Sequence, residues 1–340
     1  MLQGVQAGKL PFVTDTAAIV VNYNGGLSLS RCLTSVLEQT PAPKTILVVD
    51  NGSTDDSMDH LDSSIQTLRL AQNDGYGAAL RAGLESTEEP YLLFLNADTQ
   101  LEPECLAAAL SALESDATLG SVAPRVLQAS ESDRIDSDGI GLTTRCGQIS
   151  WNGGRQAGRV GETVEEVLGP LGGAGLWRRE AIEAGGGVPG GYFLYWEDVH
   201  LALAIQGAGW SSRTVPEARV LHEGGGAVGR GSARNVYYMV RNHLPCLAAS
   251  LPSPLLRRYF FSLVLAPLRA ALVYSGRGHP LAALLGLLSS LFLLPRALLW
   301  RQDLPSANQE SLRRIRDLME TADTHREKIR RGDDMGNGLS

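Results

Sequence analysis

Four short apolar runs, spaced by helical segments and polar turns, restrict the first hundred residues to few architectures. Residues 17–23 (AAIVVNY) are a β-branched run closed by Asn24-Gly25-Gly26, the pattern of a buried strand ending in a turn. Ser28 then reads as a helix cap. Leu29, Cys32, Leu33, Val36 and Leu37 follow at helical spacing on one face, and Pro41 and Pro43 stop the helix. Residues 45–50 (TILVVD) form the next strand. After a polar turn at 51–55 the pattern predicts a short helix, a strand at 68–71, a helix at 76–84 and a strand at 91–95 (YLLFL). This alternation predicts an α/β domain with a mostly parallel sheet and helices on both faces, where ligands collect at the carboxyl ends of the strands.

Residues 119–171 break into short strands and glycine-rich turns, and Gly172-Gly173-Ala174-Gly175 opens a second ordered block. In that block, residues 196–208 (WEDVHLALAIQGA) have helical periodicity and are closed by Gly207 and Gly209, which puts Glu197 and Asp198 in the first turn. Asp50 ends one strand and Asp98 closely follows another, so both belong to the same rim of the sheet. A carboxylate such as Asp50 can accept hydrogen bonds from a pyrimidine N3–H or from ribose hydroxyls. A second carboxylate, Asp98, can meet a sugar diphosphate only through a divalent cation, because direct contact is repulsive. Either acid alone also suits a turn or a helix cap.

Taken in order, the segments VVNYN (20–24), VVDNGSTD (48–55), QNDGYGAALRAGL (72–84), FLNAD (94–98), GGAGLWRREAI (172–182) and FLYWEDVHLALAIQGAGW (193–210) resemble the family 2 glycosyltransferases of the GT-A fold. The resemblance covers roughly residues 17–245. VLHEGGGAVG (220–229) and YYMVRNHL (237–244) look like the bacterial branch that contains rhamnosyltransferases and other cell-surface polysaccharide enzymes. It implies an inverting transfer from a UDP- or dTDP-sugar to a hydroxyl of a saccharide or polyprenyl-diphosphate-linked acceptor. Asp50 would bind the base, and Asn22, Asn24, Asn73, Gly75 and Asn96 would line the nucleotide-sugar pocket. Asp98 would hold Mg2+ or Mn2+ on the diphosphate, and Asp198 would be the catalytic base, its ionised form favoured by the helix N-terminus.

Other residues keep two readings. Glu197 orients the base or acceptor, or is a helix-dipole partner. Trp196 stacks on a sugar or belongs to the core. His222 completes the metal shell or is a hydrogen-bonded structural histidine. Arg241 grips the diphosphate bidentately or is a solvated helix residue. The chain departs from the family pattern twice, with Asn96-Ala97-Asp98 in place of a D-x-D metal motif and His200 where a second acid often follows the base. Two rivals remain: an NAD-dependent oxidoreductase, for which Gly25-Gly26 does not make G-x-G-x-x-G, and an inactive sugar-nucleotide-binding subunit.

Composition sets the C-terminal third apart from the body. A hydrophobic share of 44% with 20% charged residues excludes a largely disordered chain. Residues 1–223 hold 14 Lys and Arg against 29 Asp and Glu, whereas residues 224–302 hold nine arginines and no acid, so the two parts face different partners. The expected organisation is a catalytic domain at 12–245, a basic apolar helical region at 246–302 and a charged helical tail at 303–340 with a disordered end. The run at 281–294 is 14 residues long, short of the roughly 20 a membrane span needs. Residues 253–302 therefore predict either a helical hairpin packed on the body or at a homodimer interface, or helices lying in a membrane surface. No nucleic-acid partner is expected. Four scattered cysteines and the absence of a signal-like pattern at residues 1–11 predict a cytoplasmic protein, peripheral on the inner membrane face if the hairpin binds lipid.

Overall fold

The computed structural model describes residues 13–224 and 231–331. Residues 1–12, residues 225–230 with most of the glycine-rich part of the VLHEGGGAVG segment, and the expected disordered end at 332–340 lie outside the described residues.

The apolar runs do become strands. In chain order the body comprises β1 (Val13–Asn22), α1 (Gly26–Leu37), β2 (Ala42–Asp50), β3 (Gln66–Arg69), α2 (Tyr76–Glu85), β4 (Tyr91–Asn96), β5 (Thr99–Leu101) and α3 (Cys105–Glu114). Next come β6 (Leu119–Gln128), β7 (Glu131–Ser137), β8 (Ile140–Leu142), β9 (Gln148–Ser150), α4 (Ala157–Val160), β10 (Ala174–Arg178), α5 (Arg179–Ala184), α6 (Glu197–Gly207) and β11 (Ser211–His222). The main sheet runs β3-β2-β1-β4-β10-β6-β11-β5, with β7 added beside β6. Its first four strands are parallel, β10 reverses between β4 and β6, and β11 again runs parallel to β6.

One face of the sheet packs on α1 and α3, through Leu29, Leu33, Val36, Leu106 and Leu113 against Val20, Val48 and Leu95. The other packs on α2, α5 and α6, through Leu80, Ile182, Leu201 and Ile205 against Ile19, Val49 and Phe94. Gly83 lets α2 lie flat on β1: a Cβ there would stand 2.6 Å from Ile19 Cγ2. Strands buried on both faces read as unbroken apolar runs, which is why they are visible in the sequence.

Two local expectations are corrected. Gly25, not Ser28, is the N-cap of α1, and Ser28 inside the first turn instead donates to Glu223 Oε2 at 2.6 Å. The short helix expected after residue 55 is a run of turns. Asp55 accepts from the Ser57 backbone and hydroxyl, and Asp62 from those of Ser64, so local side-chain bonds win the backbone over from a helix.

The remaining helices are α7 (Ala233–Ser250), α8 (Ser253–Arg258), α9 (Phe260–Gly276), α10 (Pro280–Trp300) and α11 (Gln309–Arg331). The boundary expected at residue 245 falls inside α7, which continues through Pro245. A single cluster joins Trp196, Val199 and Leu203 to Leu247, Leu255, Leu263, Leu293, Ile315 and Met319, so the C-terminal helices share a core with α6. The charged segment α11 docks rather than trails: Ile315, Met319 and Ala322 recur on one buried face, Arg314 bonds Gln206, Asp323 accepts from Thr144, and His325 stacks on Trp151 at 3.9 Å. The 14-residue run at 281–294 extends in α10 to 21 residues, because the helix carries on through Pro295. All four cysteines are buried and free.

Candidate active site

A cleft of about 710 Å³ opens at the carboxyl ends of β1 and β4, within the range that encloses a small-molecule ligand. Its floor is an amide network. Asn51 Nδ2 donates to Asn73 Oδ1 at 3.1 Å and to the Gly75 carbonyl at 3.2 Å, while Asn73 Oδ1 also accepts the Gly75 N–H at 3.0 Å. Gly75 sits at φ 96°, and a Cβ there would stand 2.3 Å from Phe193 Cα and from its carbonyl oxygen, so only glycine fits. Asn24, at φ 52°, accepts the Thr54 N–H at 2.7 Å and ties the β1 turn to the β2 turn. Asn24, Asn73, Gly75, Asn96, Asp98 and His222 all line this cleft.

Asp98 and His222 meet across its wall. β11 pairs antiparallel with β5, bringing His222 opposite Thr99 and its Nε2 to 3.5 Å from Asp98 Oδ2. On its other side His222 Nδ1 lies 2.7 Å from Asp136 Oδ2. Burial disfavours the imidazolium, but hydrogen bonds to Asp136 and Asp98 outweigh it and push His222 up to about 9. Among the described residues no group of three or more His, Cys, Asp or Glu side chains is arranged to hold a metal. One carboxylate and one imidazole nevertheless suit a cation that keeps most of its shell for phosphate and water oxygens. Loading it would release the His222 proton.

Glu197 and Asp198 begin α6 one layer behind the wall, each 8% exposed. Asp198 accepts from the Val199 N–H at 2.8 Å and, weakly, from the Gly172 N–H at 3.4 Å. In front of the pair, Tyr76 donates its hydroxyl to the Gly172 carbonyl at 2.7 Å. Burial first, with both acids nearby, pushes Tyr76 well above its usual value and keeps it a neutral donor. The expectation that the helix end would depress Asp198 is corrected: burial raises its proton affinity and outweighs the backbone bonds that lower it. Glu197 is raised as well, by burial and then by Asp198, and its Oε2 has no partner among the described residues.

Several residues read as ligand contacts instead position the backbone. Trp196 is 2% exposed, donates to the Met239 carbonyl at 3.0 Å and stacks on His243, so it is core. Asn22 is fully buried, its amide shared between the Ser53 and Ser57 hydroxyls. Asp50 is 4% exposed and accepts the Ser53 N–H at 3.0 Å, bracing the turn rather than facing the cleft. Arg241 packs over Tyr238 and donates to the Tyr192 carbonyl, while Arg234, two turns earlier on the same helix, lines the cleft over the Phe193 ring. His200 is buried against the Tyr192 hydroxyl at 2.7 Å and takes no part in the cleft.

Sequence reasoning missed Tyr76, Asp136, Arg234 and the clamp at Asn242. Phe193, Tyr195 and Trp196 all lie in the left-handed region, at φ 69°, 66° and 77°. The fully buried Asn242 holds them, its Nδ2 donating to the carbonyls of Tyr192, Leu194 and Tyr195 at 3.0, 2.7 and 3.1 Å. A signal existed, a polar residue within the run YYMVRNHL, but its targets are 47 to 50 residues away.

A parallel half-sheet joined through a reversed strand to a second half, with the cleft over the first, is the GT-A fold of nucleotide-sugar enzymes. It is shared with solved structures. GalNAc-T7 with UDP, GalNAc and Mn2+ matches at a TM-score of 0.54 and 17% identity over 69% of this chain, which spans only 47% of that one. Mannosyltransferase PcManGT from Pyrobaculum calidifontis, in complex with GDP-Man and Mn2+, matches at 0.50 and 20% identity over 91% and 87% of the two chains. Residues 17–185 match the model of glycosyl transferase family 2, so this chain carries a domain of that family. It is also 29% identical, over 66% of its length and 81% of the relative's, to the N-acetylglucosaminyl-diphospho-decaprenol L-rhamnosyltransferase of Mycobacterium tuberculosis. The oxidoreductase alternative is thereby set aside.

Proposed function

We propose that this glycosyltransferase is inverting and metal-assisted, and moves a sugar, rhamnose foremost, from a UDP- or dTDP-sugar to a hydroxyl of a saccharide on a lipid diphosphate in cell-surface polysaccharide synthesis. The observation that carries the reading is the cleft itself, with Asp98 facing His222 at 3.5 Å on the wall and the buried acid pair of α6 behind it. The likeness to the decaprenol-linked rhamnosyltransferase supports the sugar and the acceptor class. The acceptor class in turn supports work at the inner face of the membrane.

The amide floor of Asn51, Asn73 and Gly75, with Asn24 at its edge, receives the nucleoside, and Asp50 braces the turn beneath it. Asp98 and His222 would hold Mg2+ or Mn2+. That cation, when bound, supplies Lewis-acid neutralisation of charge on the diphosphate. Arg234 offers a guanidinium to the phosphate side. Asp198 takes the acceptor hydroxyl's proton as that oxygen bonds the anomeric carbon, and the old carbon–oxygen bond breaks with its electron pair leaving on the nucleoside diphosphate. One displacement from the opposite face inverts the centre. Burial makes Asp198 a stronger base than an exposed carboxylate. Nucleotide release is measured with UDP-, dTDP- and GDP-sugars. Asp198→Asn should lower transfer by about 10²- to 10⁴-fold while keeping nucleotide affinity. Near-wild-type turnover would remove Asp198 from the role, and a wild-type chain that neither transfers nor hydrolyses any donor would restore the binding-subunit reading.

A further inference from the structure

The helices α9 and α10 carry the main apolar surface of the molecule. Of 19 exposed large hydrophobic side chains among the described residues, 15 lie on these two helices, so the surface is one patch of the kind that marks a partner. On α10 it is a stripe. Leu281, Leu284, Leu285, Leu288, Leu291 and Phe292 face outward, while Ala283, Gly286, Ser290, Leu293 and Ala297 face in. The inward side is bound tightly to α7: a Cβ on Gly286 would stand 2.8 Å from the Tyr237 carbonyl oxygen and 3.0 Å from Val240 Cβ. The segment Pro280–Asp303 is long and apolar enough to cross a bilayer, but a helix fastened to the body along one face offers lipid only its other side.

Charge selects the occupant. Arg257 and Arg258 at the end of α8, Arg277 in the turn between α9 and α10, and Arg296 on α10 are exposed, and residues 224–302 contain no acid to pair with them. A second copy docking by the same face would set arginines against arginines, whereas an anionic lipid surface neutralises them.

Position gives the patch a purpose. Val236 and Val240 of α7 pack on Ala271 of α9 and Ala283 of α10, next to Arg234 and Asn235, which line the cleft. Asn235 holds the hydroxyl of cleft residue Tyr195 at 2.7 Å, and Tyr274 of α9 lies within electrostatic range of that same tyrosine. The hairpin therefore turns beside the cleft mouth. We infer that the outer face of α9 and α10 docks on an anionic bilayer, apolar stripe in the acyl boundary and arginines among headgroups, holding the cleft mouth at the membrane surface. Its purpose rests on the lipid-linked acceptor proposed above, but lipid binding is measurable without transfer.

The experiment is co-sedimentation of the full chain with phosphatidylcholine vesicles, with and without phosphatidylglycerol, at low and high salt. Wild type should bind the anionic vesicles and release with salt. The triple variant Phe261→Ser, Leu285→Ser, Phe292→Ser alters only outward side chains. It should keep its circular dichroism and its transfer to a water-soluble acceptor, yet lose vesicle binding by about tenfold or more. Changing the four exposed arginines to glutamine should cost about fivefold for each at low salt. Wild type indifferent to both vesicle types, or a triple variant that binds as wild type does, overturns the inference. So does a lipid-free dimer that the triple variant abolishes, which would give the face to a second copy.

Discussion

Asn242→Asp exchanges one amide NH2 for an oxygen and tests how the segment ahead of α6 is held. The Asn242 amide faces three carbonyl oxygens, which only a donor can satisfy, so a carboxylate of the same shape replaces attraction by repulsion. The strain it restrains can be sized. Three non-glycine residues in the left-handed region, at φ 69°, 66° and 77°, cost about 1–2 kcal/mol each, or roughly 3–6 kcal/mol together. The restraint is of the same order. An amide has two hydrogens, and the Tyr192 carbonyl keeps Arg241 at 3.2 Å, so the loss falls on the Leu194 and Tyr195 carbonyls. Leaving both unpaired costs about 1–3 kcal/mol apiece. With strain and restraint so closely matched, the segment should relax locally into the cleft while the fold survives. Phe193 carries the carbonyl that accepts the Tyr76 N–H at 2.7 Å, so relaxation should also shift Tyr76 and the start of α6. A displacement of about 1 Å near reacting groups costs around 10²-fold. Initial-rate kinetics should therefore show turnover down by that factor, and thermal unfolding a loss of about 2–6 kcal/mol. Asn242→Ala should fall between the two proteins. An Asp variant with wild-type turnover and melting would refute the clamp.

Asp98→Ala should abolish the strengthening of UDP or dTDP binding by Mn2+, read by titration with and without the ion. Equal strengthening in both proteins would dismiss Asp98 as a ligand. Asp138→Ala should lower stability by about 3–5 kcal/mol in urea, because the Arg125 guanidinium, 1% exposed and bonded at 2.9 and 3.0 Å, would stay buried without its counterion. An unchanged midpoint would count against that. Burial, with Arg81 nearby, holds His200 down at about 3, so it stays neutral in the fold while the unfolded chain takes up a proton below about pH 6.5. Its contribution is complete above that pH and is lost as pH falls toward 3, by about 1.4 kcal/mol per unit. His200→Gln should flatten the urea stability profile by that slope between about pH 6.5 and pH 4, and an identical slope would show that His200 is not the source.

Periodicity and chain order were enough to determine the α/β class, the parallel strands of the first half, the helix that begins at Glu197 and the residues at the strand ends. These features rest on neighbours close in the chain, and strands buried on both faces leave unbroken apolar runs. The same local view could not see β10 entering antiparallel between β4 and β6, nor β11 carrying His222 to Asp98, because pairing partners that far apart leave no periodic trace. Nor could it tell a carboxylate on the cleft wall from one beneath it. Asp98 and Asp50 both end their strands in a turn, yet the β2 turn folds back over Asp50, and Ser53 takes its oxygen. Asp198 shows the reversal most clearly. From sequence, its place in the first turn of a helix favours the ionised form. In the fold it is buried beside Glu197, and desolvation outweighs the helix end, so tertiary packing decides that this acid holds protons more tightly than an exposed one.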